Sequence, residues 1–157
     1  MMMKSNDLNK SAIIIQSRMS SQRFKGKMMA PIFGEIPLVE YIAKRCQMSN
    51  VKNILVATSE DSSDNVIVEQ CQKNDIPVMQ GDLNNVLRRY VQTAEYLNVE
   101  YVVRLCGDTP LFDLRKLELI LDRLVSQKLD YVSFERKFCA AGFYSEAVTL
   151  DVLKRVL

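Results

Sequence analysis

Short, almost continuously apolar segments alternate along this chain with longer segments whose apolar residues recur at helical spacing. The clearest apolar segments are Ser11–Gln16, Asn53–Thr58 and Tyr101–Cys106. Segments of this length that are apolar on both faces are typical of strands buried in a parallel sheet. Strand–helix–strand units impose parallel pairing with right-handed crossovers. The sequence therefore predicts an α/β domain, a three-layer α/β/α arrangement around a mostly parallel sheet.

Weaker patterns complete the predicted order of elements. We expect residues 1–10 to be disordered and residues 11–157 to form one domain. Further strands are predicted at Ile76–Met79, Asp130–Phe134 and Phe143–Thr149. Apolar residues three or four positions apart predict helices over Pro37–Cys46, Val66–Lys73, Leu83–Leu97, Leu114–Ser126 and Leu150–Leu157.

Composition argues against several classes of protein. The chain has no histidine, which excludes a serine–histidine or cysteine–histidine hydrolase, and its four cysteines form no CxxC pair that would indicate zinc. A formal net charge of +2 provides no overall field to attract nucleic acid. No segment approaches the roughly 20 apolar residues that span a bilayer, and no signal peptide is evident. These features favour a cytoplasmic protein with reduced cysteines that binds neither nucleic acid nor membranes.

A cationic loop follows the first predicted strand. Its basic residues fall within ten positions, and no acidic residue follows them before Glu35. Several cations converging on one anion are what the binding of a nucleoside triphosphate requires. A solvated basic loop is the alternative that composition alone leaves open. The basic residues are Arg18, Arg23, Lys25 and Lys27.

A second polar loop leaves the predicted strand Tyr101–Cys106, with Asp108 following Gly107. A carboxylate at the end of a strand suits Mg²⁺, although a Gly-Asp pair also occurs in ordinary turns. Ligands of an open parallel sheet bind beyond the carboxyl ends of its strands, so both loops are expected to face one polyphosphate. Phosphoryl and nucleotidyl transfer depend mainly on positioning and charge neutralisation, which needs no histidine.

Three stretches of sequence resemble one known family. Residues 14–27 read IIQSRMSSQRFKGK and resemble the opening Q-A-R-M-x-S-x-R-L-P-G-K of the acidic-sugar cytidylyltransferases. That family includes acylneuraminate cytidylyltransferases and spore-coat polysaccharide proteins of the SpsF type. Residues 80–90, QGDLNNVLRRY, are similar to its R-G-x-x-x-x-V-L-x-R-Y stretch, and residues 103–113, VRLCGDTPLFD, to V-R-I-T-G-D-C-P-L-I-D. The resemblance covers nearly the whole chain from Ala12.

The resemblance implies a fold, a reaction and a set of site residues. The fold is a Rossmann-like, GT-A-like nucleotidyltransferase domain, and homodimers are usual in the family. The reaction transfers CMP from CTP to an acidic sugar of the nonulosonic type, with Mg²⁺ and release of pyrophosphate, in surface polysaccharide or glycan synthesis. By position, the implied catalytic residues are Arg18, Lys27 and Asp108, and the implied metal ligands are Asp108 and Glu146. The implied nucleotide-binding residues are Gln16, Arg18, Ser21, Arg23, Lys27, Thr58 and Arg104.

Two departures from the family pattern leave alternatives open. Residues 142–148, GFYSEAV, resemble the family's G-L-D-V-E-V-F, but Tyr144 stands where an aspartate is usual, which leaves Glu146 as the acidic residue of that stretch. Family members also continue past the position of Leu157, so we expect the domain to be incomplete at its C-terminus. A catalytically inactive module that binds a nucleotide or a partner is therefore the alternative function. A guanylyltransferase of the same architecture would carry a glycine-rich loop that Met19–Ser21 does not supply.

Overall fold

A computed structural model describes residues 3–21, 24–135, 137 and 143–157. Six strands form one sheet in the order β5-β4-β1-β6-β8-β7, and β2 pairs with β3 in a separate hairpin. The strands are β1 (Ser11–Gln16), β2 (Pro31–Phe33), β3 (Ile36–Pro37), β4 (Asn53–Ser59), β5 (Val78–Gly81), β6 (Tyr101–Cys106), β7 (Tyr131–Ser133) and β8 (Glu146–Thr149). The helices are α1 (Ser5–Asn9), α2 (Leu38–Cys46), α3 (Asn65–Lys73), α4 (Val86–Tyr96), α5 (Leu114–Ser126) and α6 (Leu150–Arg155).

The central strand β1 divides the interior into two cores. Ile13 and Ile15 enter the core that α2, α3 and α5 cover, whereas Ala12 and Ile14 enter the core of α4 and α6. All four side chains are 0% exposed. Successive side chains of a strand point to opposite faces, so a strand that is apolar throughout needs helices on both sides. The predicted three-layer α/β fold is confirmed.

The sheet is parallel over β5, β4, β1 and β6, but β8 runs antiparallel to both β6 and β7. No α-helix lies between β7 and β8 in the described residues, so this pair is not the strand–helix–strand unit that imposes parallel pairing. The reversal sets Arg104 of β6 directly opposite Glu146 of β8. The reversed strand thus brings two predicted site residues together.

The prediction of disorder over residues 1–10 is wrong for residues 5–9, which form α1. Leu8 packs against the core beneath β1. The hydroxyl of Ser11 donates to the carbonyl of Asp7 at 2.6 Å. The short helix is therefore attached to the start of the sheet, and its polar composition agrees with the fact that none of its residues is buried.

Several predicted elements begin later than expected, among them β5 and α4. The Ile76 amide donates to the Cys71 carbonyl at 2.9 Å and closes the end of α3, so β5 starts at Val78. The carboxylate of Asp82 accepts from the Asn84 and Asn85 amides at 2.9 and 2.8 Å, which holds a turn ahead of α4. In both places a local hydrogen bond ends one structure before the next begins.

In the described part of the chain, no helix is long and apolar enough to cross a membrane.

Candidate functional site

A cavity of about 480 Å³ lies where β1 and β6 end. Parallel neighbours in a sheet end at the same edge, so the loops that follow them converge there. Both the cationic loop and the loop of Asp108 contribute to its walls. The lining residues are Gln16, Arg18, Ser20, Ser21, Lys27, Met28, Cys106, Gly107 and Asp108.

Lys27 and Asp108 join the two loops across this cavity. The Lys27 ammonium lies 2.5 Å from a carboxylate oxygen of Asp108, and the two side chains are 21% and 38% exposed. Arg18 lines the same cavity. The expected convergence of cations and a carboxylate on one site is therefore present in the fold.

Gly107 allows the two loops to approach. Its amide donates to the Gln16 carbonyl at 2.8 Å. A Cβ atom at this position would lie 2.9 Å from the Gln16 carbonyl oxygen and 2.9 Å from the Met28 sulfur, and would overlap the Ser17 hydroxyl. Glycine is thus required here by space and not by a left-handed backbone.

The cationic loop is folded around the peptide of Met19. The Met19 carbonyl accepts from the Ser21 amide at 2.8 Å and from the Gly26 amide at 3.1 Å. Gly26 has φ +73°, a left-handed conformation that glycine adopts readily. The Met19 amide donates to the Asp64 carboxylate at 2.7 Å. These bonds hold Met19, Ser21 and Gly26 together and attach Met19 to Asp64.

Arg18 is held on the side of the cavity near α4. Its guanidinium donates to the Leu83 carbonyl at 3.2 Å. The same carbonyl accepts from Arg89 at 3.2 Å, and Arg89 also donates to the Asp82 carbonyl. Arg89 is 1% exposed, and burial lowers its pKa. A buried arginine therefore supports the turn that contacts Arg18.

A second cavity of about 540 Å³ shares Cys106 and Asp108 with the first. Arg104 donates to Glu146 at 2.9 Å on its wall, and the Arg104 guanidinium lies 4.8 Å from the centre of the Tyr90 ring. A guanidinium over a ring face is stabilised by the ring quadrupole. The remaining walls come from Thr109, Tyr131, Ser133, Phe134, Tyr144 and Ser145.

The predicted site residues divide between the two cavities. Those in the first are Gln16, Arg18, Ser21, Lys27 and Asp108. Arg104, expected at the nucleotide, lies with Glu146 in the second. The predicted contact of Thr58 with the nucleotide is corrected, because the Thr58 side chain is 0% exposed and its hydroxyl donates to Asp64 at 3.0 Å. Arg23 lies outside the described residues.

Several residues near the site were not predicted. Asp64 and Arg89 are buried polar residues beneath the loops, and sequence alone gives no sign of their burial. Cys106 lines both cavities, and the pKa of its thiol is raised by partial burial and by the nearby charge of Asp108. Its place at the end of a predicted strand, one residue before Gly107, was the available signal.

Comparison with known protein families identifies the family of this chain. The cytidylyltransferase family model matches residues 12–157, nearly the entire chain. The chain belongs to the cytidylyltransferase family. The resemblance carried by the sequence motifs is thereby confirmed.

Similarity to individual cytidylyltransferases and related proteins agrees with this assignment. An uncharacterised protein of Methanocaldococcus jannaschii is 32% identical over 143 residues, which cover 90% of this chain and 58% of that protein. The spore coat polysaccharide biosynthesis protein SpsF of Bacillus subtilis is 30% identical over 129 residues, 79% of this chain and 53% of that protein. A 3-deoxy-manno-octulosonate cytidylyltransferase of Rickettsia akari is 28% identical over 125 residues, 78% of this chain and 50% of that protein.

A solved cytidylyltransferase structure shows the same fold. The protein from Leptospira borgpetersenii is 33% identical, with a TM-score of 0.87, over 94% of this chain and 63% of that one. This cytidylyltransferase domain thus spans between half and two thirds of the length of the relatives described.

Proposed function

We propose that this domain transfers a cytidylyl group from CTP to a hydroxyl of an acidic sugar, for surface polysaccharide or glycan synthesis. The sugar oxygen forms a bond to the α-phosphorus, the bond to the β-phosphate breaks, and pyrophosphate leaves. The hydroxyl proton passes to a carboxylate or to water. The observation that carries the proposal is that Arg18, Lys27 and Asp108 line one cavity, which shares Asp108 with a second.

The first cavity suits the triphosphate. Arg18 and Lys27 provide two cations, and Ser20 and Ser21 provide hydroxyl donors for phosphate oxygens. Each cation contributes about 4 kcal/mol of gross attraction per phosphate charge at ~4 Å and an effective dielectric of 20, most of which solvation offsets. The cations also neutralise the charge that accumulates on the departing pyrophosphate.

Asp108 suits a magnesium ion. Mg²⁺ in nucleotide enzymes binds through one or two carboxylates together with substrate phosphates and water. In the described residues no three acidic or cysteine side chains cluster closely enough to form an all-protein metal site. Asp108 is partly exposed on the wall of the cavity and fits binding through a carboxylate together with phosphates and water. Asp108 would hold the ion, which would supply positive charge to offset that of the phosphates.

The second cavity suits the acceptor. Tyr131, Phe134 and Tyr144 provide apolar faces for a sugar ring, and Arg104 provides a cation for its carboxylate. Glu146, which accepts from Arg104, fixes the guanidinium and is a further candidate metal ligand. Asp108 lies between the cavities, where the sugar hydroxyl would meet the α-phosphorus. The 3-deoxy-manno-octulosonate named for the Rickettsia relative supports a carboxylate-bearing acceptor.

Calorimetric titration with CTP, UTP, ATP and GTP in the presence of Mg²⁺ tests the nucleotide. We expect CTP to bind most tightly, and equal affinity for all four nucleotides would contradict cytidine specificity. Release of pyrophosphate from CTP with a panel of 3-deoxy and nonulosonic acids then tests transfer.

An inactive nucleotide-binding module is the second candidate function. It is favoured by Tyr144, which stands where the family usually has an aspartate, and which lines the second cavity. CTP binding without pyrophosphate release for any acid in the panel would support this module and contradict the transferase.

A further inference from the structure

We propose that Asp64 is a positioning residue of the nucleotide site, whose buried carboxylate holds the Met19 peptide and thereby places Arg18 and Lys27. The inference rests on the proposed function, since it concerns cations assigned to the triphosphate. Asp64 itself lines neither cavity. It acts through the cationic loop and does not contact the nucleotide.

The carboxylate of Asp64 joins the loop after β1 to the end of β4. Asp64 is 1% exposed. One of its oxygens accepts from the Met19 amide at 2.7 Å. The other accepts from the Ser59 amide and the Thr58 hydroxyl, each at 3.0 Å, and from the Ser59 hydroxyl. One donor from the loop after β1 and three donors from the end of β4 thus converge on one side chain.

The Met19 backbone connects the hydrogen bond from Asp64 to both cations. Arg18 precedes Met19 in the chain. The Met19 carbonyl accepts from the Gly26 amide at 3.1 Å, and Gly26 precedes Lys27. If the Met19 amide is released, the loop beyond Ser17 loses its hydrogen bond to Asp64, and Arg18 and Lys27 are held less firmly at the first cavity. Misplacing such groups by a small distance reduces binding and catalysis because the charges no longer converge.

The site requires a carboxylate and not merely a polar side chain of the same size. An ionised carboxylate offers acceptor lone pairs on both oxygens, whereas the amide of asparagine offers one acceptor and one donor. With asparagine at position 64, its NH₂ group would face either the Met19 amide or the Ser59 amide, and a backbone N–H cannot accept, whereas the Thr58 and Ser59 hydroxyls can turn to do so. A buried donor left without an acceptor carries the full cost of its desolvation. A carboxylate at position 64 therefore suits a site at which two backbone amides and two hydroxyls donate.

The variant Asp64→Asn tests this arrangement, with Asp61→Asn as the matched control. Asp61 lies three positions away and accepts from the Ser63 amide and hydroxyl, and it has no hydrogen bond to the cationic loop among the described residues. We expect D64N to raise the hydrogen-exchange rate of the Met19 amide about tenfold or more, measured without nucleotide, with the core amide of Ile14 as the internal reference. D61N should leave the Met19 rate within twofold.

Nucleotide affinity separates positioning from general stability. We expect D64N to weaken CTP binding about tenfold in the parent protein, but less than twofold when Arg18 and Lys27 are both methionine. Asp64→Glu retains both acceptor oxygens and should recover part of the loss. If D64N does not fold, the CTP affinity of D64E is compared in the same two backgrounds instead.

An unchanged Met19 exchange rate in D64N would overturn the proposal, as would a raised rate with unchanged CTP affinity and turnover. Equal weakening in the Arg18/Lys27 double-methionine background would also overturn it. If the unsubstituted protein bound no CTP, the proposed function would fail, whereas the Met19 rate would still decide whether Asp64 holds the loop.

Discussion

The ammonium of Lys27 lies 2.5 Å from the carboxylate of Asp108, although 81 positions separate the two residues in the chain. The ion pair links the loops that follow β1 and β6, which are neighbouring parallel strands. Because both side chains are partly exposed, the pair itself contributes little to stability. Its importance is positional, since it places a cation and a carboxylate where a polyphosphate and a divalent ion would meet.

Removing the Lys27 charge should weaken CTP binding. We expect Lys27→Met to raise the Kd for CTP by about 10- to 100-fold, because one phosphate contact and its charge are lost. Lys25→Met is the matched control, since Lys25 belongs to the same loop, is exposed, and does not line the cavity. Calorimetry at low and high salt checks both variants. Equal losses for Lys25 and Lys27 would indicate nonspecific attraction and contradict the site.

Removing the Asp108 charge should separate metal-dependent from metal-independent binding. Without Mg²⁺, Asp108→Asn should bind CTP at least as tightly as the parent, because a carboxylate that repels phosphate is gone. Mg²⁺ should increase the affinity of the parent for CTP, and the variant should lose most of this increase. The rate of pyrophosphate release by the variant should fall at least about 100-fold. The control is Asp113→Asn, whose carboxylate caps α5 by accepting from the Arg115 amide at 2.9 Å. Retention of full Mg²⁺-dependent activity by D108N would contradict the role assigned to Asp108.

Adding one methyl group at Gly107 should separate the two loops. Gly107→Ala places a Cβ against Ser17, Gln16 and Met28, and we expect a loss of about 1–3 kcal/mol in urea unfolding. CTP affinity should fall as well, because the cations and Asp108 are moved apart. Gly34→Ala is the control, since Gly34 has φ +60° but no atom within 4 Å of the added carbon. That variant should lose about 1 kcal/mol with unchanged affinity.

The Cys106 thiol should report on the site through its reactivity. Partial burial raises the pKa of Cys106, with Asp108 as the next cause, so the neutral thiol is favoured. At pH 8 its thiolate fraction is smaller than that of free cysteine, and alkylation by iodoacetamide should be slower and should rise further above pH 9. Buried Cys46 and Cys71, whose pKa values are raised to about 12, should not react in the folded protein.

Cysteine labelling is best read in a Cys139→Ser background, because Cys139 lies outside the described residues. Added CTP should slow the alkylation, since Cys106 lines the first cavity. Alkylation of Cys106 faster than that of free cysteine at pH 8 would contradict the environment described.

The elements whose sequence and tertiary constraints agree were predictable. The segments Ser11–Gln16, Tyr101–Cys106 and Leu114–Ser126 have the predicted bounds, because each combines a clear apolar pattern with a polar boundary. The convergence of Arg18 and Asp108 followed from strand order and the position of ligands in parallel sheets.

The remainder of the site depended on long-range pairing that no local pattern encodes. Because β8 is antiparallel to β6, Glu146 lies opposite Arg104, and both residues line the second cavity. The side chain of Thr58 points into the protein toward Asp64, so a polar residue at the end of a strand was mistaken for a ligand contact. Both outcomes depend on which face a side chain takes, which only the complete sheet determines.

A crystal structure of this domain with CTP and Mg²⁺ would show directly where the nucleotide binds. We expect the triphosphate in the first cavity, with phosphate oxygens contacting Arg18 and Lys27 and with the metal bound by Asp108. A triphosphate bound away from these side chains, or a metal with no contact to Asp108, would contradict the proposed nucleotide site.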